Sequence, residues 1–242
     1  MIVCDPISRR RLMVMLWVVV ALACALLSMH EFDLVLSQAM RTLPGWVRGL
    51  SSVVTVAGLG KWYAWTLVVA FGLSWHSYGL ADRERGRWYR RLAWALVLIF
   101  LAVALSAMVT EVIKVAVGRA RPKLLEQVGF FGFMPLNFNS DFQSFPSGHA
   151  TTGAAVGVAL AFMVPKLRAL LIAAAVAIAA SRVVINAHFL ADVIAGGAIG
   201  AATAWWLREL YADHHMLFER GPDGAVLWIG LTPPLRHQTA LK

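Results

Sequence analysis

Five long apolar runs and one shorter one, separated by brief polar breaks, limit this chain more than any other feature. They lie at about Leu12–Met29, Trp62–Leu80, Leu92–Val117, Thr151–Val164, Leu167–Val184 and Leu190–Leu207. A helix needs roughly 17 to 25 apolar residues to cross a bilayer, and most of these runs approach that length. The fourth falls short unless its helix begins back at Ser147. Only 14% of the 242 residues are charged, well below the roughly 25% usual in soluble domains. In lipid the backbone must satisfy its own hydrogen bonds, which leaves helices as the solution for runs of this length. The pattern predicts an all-α fold, an integral membrane bundle of six transmembrane helices with its active site at one membrane face.

Arg9–Arg11 followed by the first run also has the anatomy of a secretory signal. The run is long for a signal, and we read an uncleaved helix. Cys4 and Cys24 lie before and inside that run, too far apart along a helix to form a disulfide with each other. Residues 31–60, broken by Pro44, Gly45 and Gly49, form either an amphipathic segment in the headgroup layer, with Leu34, Leu36, Met40 and Leu43 on its apolar face, or a packed connecting loop. Residues 82–91 ("DRERGRWYRR") read as a charged hinge, and Pro165–Arg168 as a tight turn. Beyond Tyr211 the tail carries a Pro222-Asp223-Gly224 turn flanked by short apolar runs, which predicts a small hairpin. The whole is one domain, with its core at about 62–207, an interfacial segment at 31–60 and a tail at 211–242.

With a cytoplasmic N-terminus and alternating helices, most of the 22 Lys and Arg residues fall on the cytoplasmic side together with the C-terminal tail. Lys114, Arg119, Arg121, Lys123 and Arg182 are the main exceptions. These five sit in or beside polar clusters at the opposite face, where an anion site accounts for them. That face is expected to be periplasmic or extracellular, in a bacterial inner membrane.

Alternation gathers four helix ends at that face: the end of the third run, the start of the fourth, the end of the fifth and the start of the sixth. Lys114, Arg121 and Arg182 supply fixed positive charge, and arginine forks match phosphate oxygens in pairs. Ser147 and Gly148 stand where a helix start offers free N–H groups to an anion. Pro122 is expected to stop the third helix and hold Arg121 extended. His188 and Asp192 are four apart and share a helix face, so the carboxylate can orient the ring and free its other nitrogen as a nucleophile. His149 remains to act as an acid on the far side of the phosphorus.

Each part alone has an ordinary reading. A lysine or arginine near a helix end snorkels to the interface, Pro-Ser-Gly is a turn with a cap, and His-x3-Asp is a surface pair or half a metal site. Metal ligation is the serious rival, but three neighbouring cations repel a divalent ion. Glu111 lies one turn before Lys114, within reach of an ion pair, and His214-His215 read as a solvated tail.

Together the motifs Lys114-x6-Arg121-Pro122, Pro146-Ser147-Gly148-His149 and Ser181-Arg182-x5-His188-x3-Asp192 resemble the signature of the type 2 phosphatidic acid phosphatases, the lipid phosphatase superfamily. All specified positions match, in order, and the helical plan extends the likeness over most of the chain. The resemblance implies a metal-independent phosphohydrolase that works through a phosphohistidine and needs no cofactor. By motif position His188 would be the nucleophile, Asp192 its orienter and His149 the general acid, while Lys114, Arg121, Ser147, Gly148 and Arg182 would bind the phosphate. The partners it implies are the bilayer and a lipid phosphate or diphosphate, with no nucleic acid. Phosphatidic acid, phosphatidylglycerophosphate, undecaprenyl diphosphate and the 1-phosphate of lipid A all remain open. A phosphotransferase using the same intermediate, and a non-enzymatic lipid transporter or scramblase, stand as alternatives. The 123–145 loop, rich in Phe and Leu, is expected to lie on the membrane and guide an acyl or prenyl chain.

Overall fold

The computed structural model describes residues 6–80, 83–222 and 224–231. Cys4, Asp82, Asp223 and the tail beyond 231 lie outside the described residues. Nine α-helices are described: α1 Pro6–Glu31, α2 Asp33–Arg41, α3 Gly45–Val54, α4 Gly60–Leu80, α5 Arg83–Val117, α6 Pro122–Val128, α7 Gly148–Met163, α8 Arg168–Val184 and α9 Leu190–Asp213. A two-stranded antiparallel hairpin follows, β1 Phe218–Arg220 against β2 Val226–Trp228, with Phe218 opposite Trp228. The expected tail hairpin is therefore present, and among the described residues the only other β-pairing is the isolated bridge between Arg119 and Phe133.

Among the described residues, five stretches are long and apolar enough to cross a membrane: Leu12–Glu31, Gly45–Gly79, Arg85–Val117, Pro165–Val184 and Leu190–Asp213. The sixth expected span, α7, has only 16 residues, roughly 24 Å of helix against a hydrocarbon layer of about 30 Å. It begins at Gly148 with Ser147 as its N-cap. Its position explains the difference, because α7 sits at the centre of the bundle, against α9, α8 and α5. A core of Leu98, Ala102, Ala155, Ala159, Ala204 and Leu207 joins α5, α7 and α9, and Phe218 of the hairpin closes it. The outer helices turn large apolar side chains outward, among them Trp17, Leu26, Trp65 and Leu170, as lipid-facing surfaces do.

Small residues bring the inner helices close. A Cβ on Gly200 would stand 2.2 Å from the Thr151 carbonyl oxygen, and one on Gly196 would stand 2.4 Å from that of Ser147. The start of α9 is thereby pressed against the start of α7, the small-residue contact by which membrane helices approach without an aqueous hydrophobic drive.

Three local expectations need correcting. The charged segment 82–91 is no hinge: from Arg83 on it forms the first turns of α5. Pro122 does not end that helix either, since α5 stops at Val117 and Pro122 opens α6. In residues 31–60 the inward face of α2 is Asp33, Leu36, Ser37 and Met40, whereas Leu34 is exposed. Leu36 and Met40 pack against Ala150, Val183 and Val193, so α2 is a helix packed on the bundle, not a loop, with two polar groups turned inward.

Candidate active site

The segment after α5 is built by backbone pairing on both of its edges. Gly118 ends the helix in the left-handed region at φ 60°, where a Cβ would lie 1.7 Å from the Met134 carbonyl oxygen; only glycine fits such a position. On one edge Met134 N–H donates to the Gly118 carbonyl at 2.7 Å and Ala120 N–H to that of Gly132 at 3.0 Å. On the other, Ser144 N–H donates to the Arg119 carbonyl at 3.0 Å and Arg121 N–H to that of Asp141 at 2.8 Å. In extended chain, residues two apart share a face. Arg119 and Arg121 accordingly both approach Asp192, the first by direct contact and the second through its field.

Arg121 is braced by its Nε donating to the Ser140 carbonyl at 2.8 Å. Arg182 is fixed from α8 by donating to Thr55 Oγ1 at 2.8 Å, and its Nε is buried with no partner among the described residues. Lys114 is nearly buried at 9% exposure and pairs with Glu111 at 2.5 Å. Its ammonium would lie 3.4 Å from a Cβ on Gly148, so lysine and helix start share one small space. Ser147 N–H donates to the Asp192 carbonyl at 2.9 Å, while Ser147 Oγ is fully buried and unpartnered among the described residues. A buried hydroxyl without a partner costs about 1 to 3 kcal/mol, which a bound phosphate oxygen would recover.

His188, 3% exposed, places Nδ1 2.8 Å from the Ser144 carbonyl oxygen. A carbonyl only accepts, so the neutral ring carries its proton on Nδ1 and leaves the Nε2 lone pair free. Asp192 Oδ2 lies 3.6 Å from Nδ1, an electrostatic contact beyond hydrogen-bond range. Burial pushes the His188 imidazole below its ordinary range, with Asp192 pulling the other way. Burial therefore favours the neutral ring, whose Nε2 lone pair is left free. His149, in the first turn of α7, lies within the field of Arg182, His188, Lys114 and Arg121, its Cβ packed 3.0 Å from where a Cβ on Gly58 would lie.

All eight residues singled out in the sequence stand at the one end of the bundle where α5, α7, α8 and α9 converge. Three others belong with them: Ser144 and Asp33, which the sequence does not point to, and Arg119, which it points to only as one of the cations of an anion site. Ser144 gives its carbonyl to His188 and its hydroxyl to Asp192 Oδ2 at 2.6 Å. Arg119 and Asp33 complete a buried ion cluster on Asp192. Arg119 lies within the first motif, two residues before Arg121, and its position there was the available signal. Asp33 carried none beyond being an acid among apolar neighbours.

The family model of the PAP2 superfamily matches residues 95–216. A lipid A 1-phosphatase of Rhizobium johnstonii is 34% identical over 206 residues, 85% of this chain and 84% of the relative. The chain belongs to the PAP2 superfamily. A second PAP2 relative, a lipid A 1-phosphatase of Rhizobium etli, is 33% identical over 216 residues, 89% of this chain and 92% of that one. A crystal structure of a transmembrane PAP2-type phosphatidylglycerolphosphate phosphatase from Bacillus subtilis shares the fold, at TM-score 0.56 and 21% identity, covering 86% of this chain and 96% of that chain. As a PAP2 member the chain is a phosphatase, a hydrolase of phosphoric esters.

Proposed function

We propose that this PAP2 phosphatase removes the 1-phosphate of a lipid A-type glycolipid through a phosphohistidine on His188. The observation that carries the mechanism is the His188 ring, held by the Ser144 carbonyl with its Nε2 lone pair free in the field of Arg121 and Arg182, at the end of the bundle where the Ser147 hydroxyl is buried and has no partner among the described residues. The likeness to two lipid A 1-phosphatases supports the substrate. So does a cavity of about 410 Å³ beside the site, lined by Arg121, Lys123, Ser140, Asp141, Asn186 and Ala187. Mixed donors and acceptors of this kind suit the hydroxyls of a sugar headgroup. Phe133, Leu136 and Phe138 are exposed nearby, where they can meet acyl chains in the membrane.

In the first step the Nε2 lone pair attacks phosphorus, and the bond to the sugar oxygen breaks. That oxygen takes a proton from His149. A bound phosphate dianion favours the protonated form of His149, and the three cations hold the charge on the equatorial oxygens. The phosphorylated ring keeps its Nδ1 proton on the Ser144 carbonyl and becomes cationic, and Asp192 stabilises that charge from 3.6 Å. In the second step water attacks the phosphorus and gives a proton to His149, releasing inorganic phosphate and neutral His188.

The reaction needs no metal in this reading. Asp192 and Asp33 are engaged by Arg119, Glu111 by Lys114 and Asp141 by Lys123, so among the described residues of the site each carboxylate already faces a cation rather than a place for a divalent ion. The chain crosses the inner membrane six times, α7 included, with both termini cytoplasmic and the site outside. Purified protein is expected to release phosphate from lipid A in detergent, with mass spectrometry showing loss at the 1-position, and to do so in excess EDTA. Release from phosphatidic acid or phosphatidylglycerophosphate but not from lipid A would move the substrate. Loss in EDTA restored by Zn²⁺ or Mg²⁺ would end the metal-free mechanism.

A further inference from the structure

Arg119 does not reach for the phosphate, yet it is among the most deeply buried side chains, at 1% exposure. One amino group donates to Asp192 Oδ1 at 2.5 Å and the other to Asp33 Oδ2 at 2.7 Å. Its plane lies over Phe189, 4.5 Å from the ring centre. Asp33 in turn accepts from Ser28 Oγ at 2.9 Å and from Ala191 N–H, in the first turn of α9, at 3.1 Å. Asp192 accepts as well from Ser144 Oγ and from Phe189 N–H at 2.9 Å. Every carboxylate oxygen of the cluster has a partner. A buried ion cluster is weak evidence for stability, since well-packed apolar groups often serve as well. Its place, one residue removed from the His188 ring, points to a role in the chemistry.

We propose that Arg119, braced by Asp33, is a positioning residue that sets how much negative charge Asp192 presents to His188. The proposal rests on His188 as the group that attacks phosphorus. Asp192 must stay ionised to stabilise the phosphorylated ring, but an unshielded carboxylate 3.6 Å away would draw a second proton onto the resting imidazole and remove its lone pair. Arg119 takes up part of that charge, and Asp33 limits how much. The other charged groups facing His188 are Arg121, Arg182 and His149, and neither substitution below alters them. Asp33 comes from α2, outside residues 95–216 of the family match, so the N-terminal third of the chain completes the site.

The two partners of Arg119 make the proposal testable by sign. Arg119→Gln bares Asp192 and is expected to raise the His188 pKa. Asp33→Asn leaves Arg119 unshared and is expected to lower it. The readout is the titration of ring resonances in histidine-labelled protein in detergent without substrate, with His188 assigned by its loss in His188→Gln. In turnover, Arg119→Gln is expected to lower kcat about 10- to 100-fold, the range found when an outer partner of a metal-ligating histidine is removed. KM should change little, and Arg119→Lys should restore part of the loss. Shifts of the same sign in both variants, or no shift beside a loss of turnover, would reduce the cluster to a structural brace. If Arg119→Gln does not accumulate in the membrane, a lowered pKa in Asp33→Asn supports the proposal and an unchanged or raised one overturns it. Since the titration needs no turnover, it is separate from the proposed substrate, whose failure would appear as absent lipid A hydrolysis by the unaltered protein.

Discussion

His188 and His149 are both imidazoles at the candidate site, and the proposed mechanism gives them different work because their surroundings differ. The first is buried and held by a carbonyl; the second lies in the first turn of α7, within the field of Arg182 and Lys114. If His188 forms the bond to phosphorus, His188→Ala should lose both turnover and any phosphoenzyme trapped by acid quench. General acid catalysis by His149 contributes typically about 10² to 10⁴ in rate, and less where the leaving group departs unaided. His149→Ala should therefore keep more activity on an activated aryl phosphate than on a lipid monoester, while His188→Ala is dead on both. Equal losses on both substrates would reverse the roles. At this scale the sequence was informative wherever a residue carried chemistry foreign to an apolar chain, as Lys114, His149 and His188 do. Ser144 was hidden because its backbone carbonyl acts on His188, and a backbone group leaves no mark in the sequence. Asp33 was hidden because an acid in the first turn of a helix is ordinary, and its partner stands 86 residues away. The direct bond expected from His188 to Asp192 followed from helical spacing, but His188 stands before the N-cap Phe189, outside the helix that would have made the spacing hold.

Among the elements, two glycines govern the site more than the proline that first drew attention. Pro122 reads in the sequence as the helix stop, yet Gly118 makes the turn four residues earlier and, with Ala120, pairs against the 132–134 strip. Gly118→Ala meets both a left-handed backbone and a carbonyl 1.7 Å away, so the protein should lose most turnover and accumulate poorly in the membrane. Gly200 acts from the other side. Gly200→Val would thrust side-chain atoms into the Thr151 carbonyl and the backbone of Ala155. Overpacking of this kind costs typically about 1 to 3 kcal/mol, and it would part α9 from α7, separating Asp192 from Ser147. Its expected mark is a protein still inserted and melting at a lower temperature, with turnover lost beyond what the stability change explains. Gly72→Val, with nothing within 4 Å of its Cβ position, is the matched control and should behave as the parent. Neither glycine was singled out beforehand, because a close approach is a property of two elements and a sequence displays them one at a time.

For the whole molecule, the separation of its two ends decides where the reaction takes place. α9 begins at the site and runs 24 residues to the hairpin, roughly 36 Å, enough to put the two on opposite surfaces of a bilayer. The apolar runs made this axis readable in advance, and α7 alone fell short of its expected span because its neighbours, not lipid, surround most of it. The site end carries exposed Leu136 and Phe138, at 75% and 80%, and the hairpin end carries Leu227 at 58% exposure. With Cys4 and Cys24 replaced by Ser, single cysteines at Phe138 and Leu227 report each end. If excess positive charge holds the hairpin end in the cytoplasm, Phe138→Cys should react with a membrane-impermeant thiol reagent once the outer membrane alone is permeabilised. Leu227→Cys should react only after the inner membrane is broken. The reverse pattern would put the reaction on the cytoplasmic side, and labelling of both cysteines before inner-membrane rupture would mean that the hairpin and the site share one surface.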